Sequence, residues 1–347
     1  MDGAITMDES LVSPHTLTIL CTYTCTAACK QCCFESSPRV TGRLPLESIL
    51  KRISEAHESF PDLRLVSFSG GEATILKDDL VQAVAHASSL GLLTRVVSNG
   101  SWGKSKKYAK ELIGKLKDAG LNELNISTGA DHQEWVPHES VVNAAFVAVE
   151  SGIHTLVTVE VDNEESDCLR RMTSDPAIKQ LSECAYFNLQ SNTWMPFHAD
   201  AESRRQADSL KDDYRGCNQV FNNVVITPHD NLSACCGLTL EHIPEMRLGS
   251  ASDGNMGDLY RNQVNDFMKI WLRVDGPHQI ISRVLGERGK QKLEGVVHIC
   301  QACAMLHQDD EIKGAILGSY ERYIPEVTSR FVLSRAVSFP VKHTKRK

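Results

Sequence analysis

Two adjoining stretches decide the fold: Thr16-Leu-Thr-Ile-Leu20, a short β-branched run, and Cys25-Thr-Ala-Ala-Cys29-Lys-Gln-Cys32, a CxxxCxxC loop just beyond it. Reactive groups of parallel α/β folds gather at the carboxyl ends of strands, and these cysteines follow such an end directly. Three thiolates can hold three irons of a [4Fe–4S] cube and leave the fourth open, whereas a purely electron-transferring cluster takes four cysteines. A closed zinc site, with Cys21 or Cys33 as fourth ligand, is the other reading of the same spacing.

Outward from this loop, strand-like and helix-like segments alternate. Leu46 to Phe60 reads as a helix behind Pro45, and Leu63 to Ser69 as a second strand ending at Gly70-Gly71. A helix capped by Asp78 or Asp79 runs to Ser89, and Leu93 to Ser98 is a third strand. Lys104 to Ala119 is a helix, Leu121 to Ser127 a strand, and His138 to Ser151 a helix with Val141, Val142, Ala145, Phe146 and Val149 on one face. Thr155 to Val161 and Ala185 to Leu189 complete six strands. Repeated β/α units imply a parallel sheet with right-handed crossovers, and six units predict a partial barrel in residues 1–199. Polar residues 200–216 read as a linker, 217–320 as a smaller cysteine-bearing extension with a helix near Val264 to Val274, and 321–347 as a tail.

Composition narrows the function. The 347 residues are 41% hydrophobic and 23% charged, which is ordinary globular material. A formal charge of -7 disfavours nucleic acid and anionic membranes as partners. The N-terminus lacks the basic and apolar regions of a secretory signal, and no apolar run has membrane-spanning length, so a cytoplasmic location is expected. Cytosolic thiols stay reduced, so twelve cysteines, ten of them clustered, point to metal rather than to disulfides. Cys168 and Cys184 stand apart and read as inert thiols.

The CxxxCxxC loop after the first strand resembles the signature of the radical S-adenosylmethionine (SAM) superfamily, and Gly70-Gly71-Glu72 at the end of the second resembles its GGE motif. Ala73 replaces the family's usual proline and Gln31 its common aromatic. The resemblance implies a [4Fe–4S] cluster on Cys25, Cys29 and Cys32 with SAM on the open iron. It implies SAM contacts from Gly70, Gly71, Glu72, Ser98, Asn99 and Ser127, and places Asp131-His132-Gln133 toward substrate. The opening chemistry it implies is one-electron cleavage of the sulfonium to a 5′-deoxyadenosyl radical, which abstracts a hydrogen atom from substrate.

Cys217, Cys235-Cys236 and Cys300-Gln-Ala-Cys303 resemble the auxiliary-cluster extension called twitch or SPASM, with Asp230 where its hairpin glycine is usual. One closed auxiliary [4Fe–4S] cluster on Cys217, Cys235, Cys300 and Cys303 is expected, with zinc on the same four as the alternative. Which of Cys235 and Cys236 is the ligand stays open; the other is a spare thiol or a hydrogen-atom donor to a substrate radical, a role given to Cys236. Enzymes of this architecture imply modification of a ribosomally made peptide by crosslink, thioether or epimerisation. Dehydrogenation of a small molecule is the alternative, and a non-catalytic scaffold the second. A flavodoxin- or ferredoxin-type electron donor and a separate leader-recognition protein are the implied partners.

Overall fold

Alternation along the strands sorts the molecule into an inside and an outside. In β1 (Thr16–Leu20), Leu17 and Ile19 are fully buried toward the helices, while Thr16, Thr18 and Leu20 line a cavity on the other face. A computed structural model describes residues 8–161, 167–197 and 215–338. The remaining strands are β2 (Leu65–Ser69), β3 (Leu93–Ser98), β4 (Glu123–Gly129), β5 (His154–Val161), β6 (Phe187–Thr193), β7 (Asn223–Ile226), β8 (Asn231–Ser233) and β9 (Arg247–Ser250). They form one nine-stranded sheet in the order β6-β5-β4-β3-β2-β1-β7-β8-β9. Pairing is parallel from β6 through β1 to β7 and antiparallel from β7 to β9.

Between the first six strands run α1 (Leu46–Ser59), α2 (Asp78–Ser89), α3 (Lys106–Asp118), α4 (Ala130–Gln133), α5 (His138–Glu150), α6 (Asp167–Ser174) and α7 (Pro176–Leu181). Ile49, Ile53 and Ala56 of α1 and Leu80, Ala83, Val84 and Ala87 of α2 are buried to the last atom, in the core that also holds Val66, Phe68, Val96, Leu124 and Ile126. This is the expected α/β partial barrel, with the helices outside.

Several boundaries differ from the sequence reading. Neither Asp78 nor Asp79 caps α2: Lys77, at φ 53°, is the cap residue, and the two aspartates sit in the first turn, where they favour the helix dipole. Ser105 caps α3, its hydroxyl accepting from the Tyr108 N–H, so the helix begins at Lys106 behind a 3₁₀ turn. The sixth strand starts at Phe187 and continues to Thr193, because its outward polar residues hide its length from a hydrophobicity pattern.

The larger surprise is C-terminal. The chain carries α8 (Met256–Arg261), α9 (Phe267–Val274), α10 (Gly276–Leu285), α11 (Glu287–Lys292), α12 (Ile299–Gln308), α13 (Asp310–Leu317) and α14 (Ile324–Ser338) where a single helix was expected. The stretch from 321, read as a tail, holds α14, anchored by the fully buried Val327 and Phe331. The expected linker 200–216 lies almost wholly outside the described residues. No helix of the described residues is long and apolar enough to cross a membrane.

Candidate functional site

The cysteine loop is seated by backbone. Beyond β1, the Gly71 N–H donates to the Thr22 carbonyl (2.6 Å) and the Glu72 N–H to the Thr24 carbonyl (3.0 Å). A Cβ on Gly70, at φ +122°, would strike the Thr22 carbonyl, and one on Gly71 the Thr24 carbonyl. Both positions therefore require glycine so that the loop can lie against the end of β2.

Glu72 is fully buried and braces the neighbouring strand end. Its carboxylate accepts from the Thr74 N–H and hydroxyl (3.1 and 2.6 Å), the Ser98 hydroxyl (2.9 Å) and the Asn99 N–H (2.8 Å). Ser98 in turn accepts from the Trp102 indole N–H (2.9 Å) and the Gly100 N–H (3.1 Å), so both side chains are spent on holding the loop after β3. Asn99 reaches the cysteines: its amide donates to Cys25 Sγ (3.5 Å) and to the Thr26 hydroxyl (2.9 Å). Ser127 lies half-buried near the end of β4, on the face shared with Asn125.

The three thiols are gathered. Burial pushes Cys25 up to about 11, and Glu72 and Cys32 push it the same way, against the Ala27 N–H that donates to its sulfur at 3.4 Å. Burial also raises Cys29, followed by Glu160, Cys32, Cys25 and Asp131. Cys32 Sγ accepts from the Ser36 N–H (3.4 Å). Thiols that raise one another give up their protons against strong positive charge, as a metal supplies. Cys21 is buried and bonds the Ile19 carbonyl; Cys33 is buried too, its thiol raised by burial first and then by Cys32, Glu160 and Cys300.

The sequence pattern missed a buried pair beside this loop. His132 Nδ1 lies 3.0 Å from Glu160 Oε1, poorly aligned for a hydrogen bond but close enough to pair by charge. Burial pulls the imidazole down, yet Glu160, Asp131 and Glu72 outweigh it and raise it overall. Gly129 is glycine because a Cβ there would collide with Glu160. Asp131 accepts from the Gln31 N–H at 3.1 Å, tying α4 to the cysteine loop.

The second group is also brought together. Burial raises Cys235, Cys300 and Cys303, Cys300 to about 12, and each feels Cys217. Cys217, Cys235, Cys300 and Cys303 line a cavity of about 490 Å³. Gly237 leaves room between two of them: a Cβ would sit 3.1 Å from Cys300 Sγ and 3.7 Å from Cys235 Sγ.

Cys236 borders that cavity too and feels Cys217, but it also reaches a second one. With Thr18, Ser67, Arg95, Asn125 and Asn223 it lines the cavity of about 460 Å³ on the inner face of the sheet. The Asn223 amide donates to Cys236 Sγ (2.7 Å), the thiol donates to Gln219 Oε1 (3.0 Å), and the Thr18 hydroxyl holds Asn223 Oδ1 (2.9 Å). Inward Thr and Asn in strands of a buried parallel sheet, where apolar runs are the norm, are the signal that marks this lining. No three His, Cys, Asp or Glu side chains among the described residues close on a site for a single metal ion.

Residues 19–162 match the radical SAM superfamily. The putative peptide biosynthesis protein YydG of Bacillus subtilis (strain 168) is 30% identical over 119 residues, 34% of this chain. The match spans 37% of that protein's length. The structure titled native anSMEcpe with bound AdoMet superposes with a TM-score of 0.55 at 13% identity, covering 93% of this chain and 100% of that one. Native anSMEcpe with bound AdoMet and Cp18Cys peptide gives 0.54 at 13%, covering 91% and 99%. The expected partial barrel is thus the fold of the chain, and its residues 19–162 match the model of the radical SAM superfamily.

Proposed function

We propose that the chain is a radical SAM enzyme that acts on a ribosomally made peptide and inverts a carbon centre in it. Cys25, Cys29 and Cys32 would hold a [4Fe–4S] cluster, and Cys217, Cys235, Cys300 and Cys303 a second. The donor sets fit: three neighbouring thiols with N–H···S bonds from Ala27, Ser36 and Asn99, and four more around a cavity that Gly237 keeps open. A closed tetrahedral zinc would need thiols converging on one point, whereas a four-iron cube spreads them around a body several ångströms wide. With SAM bound, the first cluster supplies one-electron cleavage of the sulfonium and so hydrogen-atom abstraction from an unactivated carbon.

The chain's own residues do the rest. The backbone around Gly70 to Glu72 would bind the SAM amino group, and the Asn99 amide donates to Cys25 Sγ. The observation that carries the reading is the placement of Cys236, which borders both the cavity of the other four cysteines and the polar interior of the barrel, its sulfur bonded to Asn223 and Gln219. It faces mid-strand at Thr18, whereas Cys25 lies beyond the carboxyl end of β1, so a peptide lying in the interior would have one group above it and Cys236 against another side. Cys236 returns a hydrogen atom from S–H to the substrate carbon on that side, is left as a thiyl, and regains its thiol by one electron and one proton. The electron comes from a flavodoxin- or ferredoxin-type donor. That YydG is named as a peptide biosynthesis protein and that an anSMEcpe structure holds a peptide supports a peptide substrate.

The test is C236S, assayed with a candidate precursor peptide in deuterium oxide. The wild type incorporates one deuterium at the inverted carbon, because the thiol exchanges with solvent. C236S retains its iron and still forms 5′-deoxyadenosine, but inverted product falls by roughly a hundredfold or more, as when a residue acting only in the chemical step is removed. Normal inversion by C236S would overturn the assignment.

A further inference from the structure

Among the described residues, the buried and half-buried arginines have carboxylate partners, with two exceptions. Buried Arg52 is bound by Asp230 at 2.8 and 2.6 Å and by Glu55 at 2.6 Å; half-buried Arg283 and the exposed Arg330 share the fully buried Asp275, each at 2.6 Å. Arg273 on α9 and Arg335 on α14 have none among the described residues. Arg273 Nη1 donates to the Cys217 carbonyl (3.1 Å), and Arg335 reaches only Asn222 Oδ1, at 3.5 Å, with its Nε buried and unpartnered. The Arg335 guanidinium also lies over the Phe331 ring, 5.7 Å from its centroid.

Two like charges held half out of water near one another are costly unless an anion balances them. Burial lowers both groups; Arg273 further depresses Arg335, to about 10, while Cys217 acts on Arg273 in the opposite sense. Arg273 has the second cysteine site within reach through Cys217, and Arg335 stands behind it; Tyr260 faces both arginines, but burial raises its hydroxyl and keeps it neutral. Arg273 is held there by shape: the Cys217 N–H donates to the Leu272 carbonyl (2.8 Å), and a Cβ on Gly216 would strike the Arg273 carbonyl. Four thiolates around a [4Fe–4S]²⁺ core carry two net negative charges, against two guanidinium charges.

We propose that Arg273 and Arg335 are the built-in counter-charge of the second cysteine site, and that they raise the reduction potential of the cluster it holds. The inference rests on reading Cys217, Cys235, Cys300 and Cys303 as cluster ligands. Adding an electron makes the cluster more negative, so a nearby fixed cation favours the reduced form. Both arginines are positioning residues. They make this site a better electron acceptor than its sulfur ligands alone would, beside the interior that Cys236 faces.

The experiment uses the full chain, reconstituted anaerobically with iron and sulfide, in a C25A/C29A/C32A background so that the second site alone gives a cluster signal. A redox titration followed by electron paramagnetic resonance compares this protein with R273Q and R335Q. Each glutamine variant is expected to lower the reduced-to-oxidised ratio about tenfold at the parent's midpoint, a shift of about 59 mV for one electron. Should a glutamine variant lose the cluster, R273K and R335K restore the charge without the planar fork and are expected to restore it. A retained cluster with an unmoved potential overturns the inference alone, as does loss of the cluster from the lysine variants as complete as from the glutamines. A parent that binds no iron overturns the ligand reading and the inference with it.

Discussion

The two cysteine groups are built from the same side chain and set in opposite surroundings. The first lies beyond the carboxyl ends of β1 to β3, among buried acids: Glu72 raises Cys25, and Glu160 and Asp131 raise Cys29. The second lies between the β7–β8 hairpin and α12, against Arg273, with Arg335 behind it. Negative surroundings suit a group that must give an electron to a bound sulfonium, and positive surroundings one that takes an electron. Thiolate count and charge environment thus distinguish the sites in the same sense. The three thiols go with acids, and the four go with Arg273 beside Cys217, Glu245 bearing on Cys303 alone among them.

The largest expected effect breaks the comparison at its first term. C25A/C29A/C32A should lose the first site's iron and drop 5′-deoxyadenosine by at least a thousandfold, against enzymatic accelerations of about 10⁶ or more. Iron analysis and product chromatography on the same sample check it. The second site's iron should remain, since no backbone of that site depends on the loop after β1. Equal loss from both sites would mean that the two groups are not independent.

A smaller change acts on the second term. In G237A the new Cβ would press on Cys300 Sγ at 3.1 Å, tighter than an ordinary contact, and approach Cys235 Sγ at 3.7 Å. Second-site iron affinity should fall about tenfold, the lower end of what disturbing a ligand's support costs. 5′-Deoxyadenosine formation should be unchanged. Titration of the reconstituted protein with an iron chelator separates the two outcomes.

How much of this was legible in the sequence follows from what each feature rests on. The first six strands and the cysteine loop announce themselves through β-branched runs, glycine pairs and spacing, which act locally. β6 was misplaced because Asn188, Gln190, Ser191 and Asn192 face outward and mask it. The C-terminal helices were mostly missed: α8, α11 and α13 are eight residues or shorter, too brief for a 3.6-residue period to show. The orientation of Cys235 against Cys236 depends on the β7–β8 register, where Val225 faces Ser233 and Ile226 faces Leu232. Both cysteines lie just beyond β8 and border the cavity of the second group, and of the two Cys236 also lines the interior. Arg273 and Arg335 are 62 residues apart and look like ordinary surface cations until α9 and α14 pack together.

The finest distinction between the two regions is that the cations of the second are permanent while the cation of the first titrates. Arg273 and Arg335 keep their charge across the physiological range. His132 faces Glu160, Asp131 and Glu72, and burial alone would lower it; the acids raise it above 6.5 overall. A raised histidine binds its proton more tightly in the folded chain than in the unfolded one. Its stabilisation is therefore fully present below pH 6.5 and is lost as pH rises through the folded value. H132N should thus cost more stability at pH 6 than at pH 9, by less than either cysteine-site variant changes iron content. Urea unfolding of wild type and variant at both pH values reads the gap. A gap that stays constant or widens toward pH 9 would mean that His132 does not pair with Glu160 by charge, and the titrating cation assigned to the first region would have to be sought elsewhere.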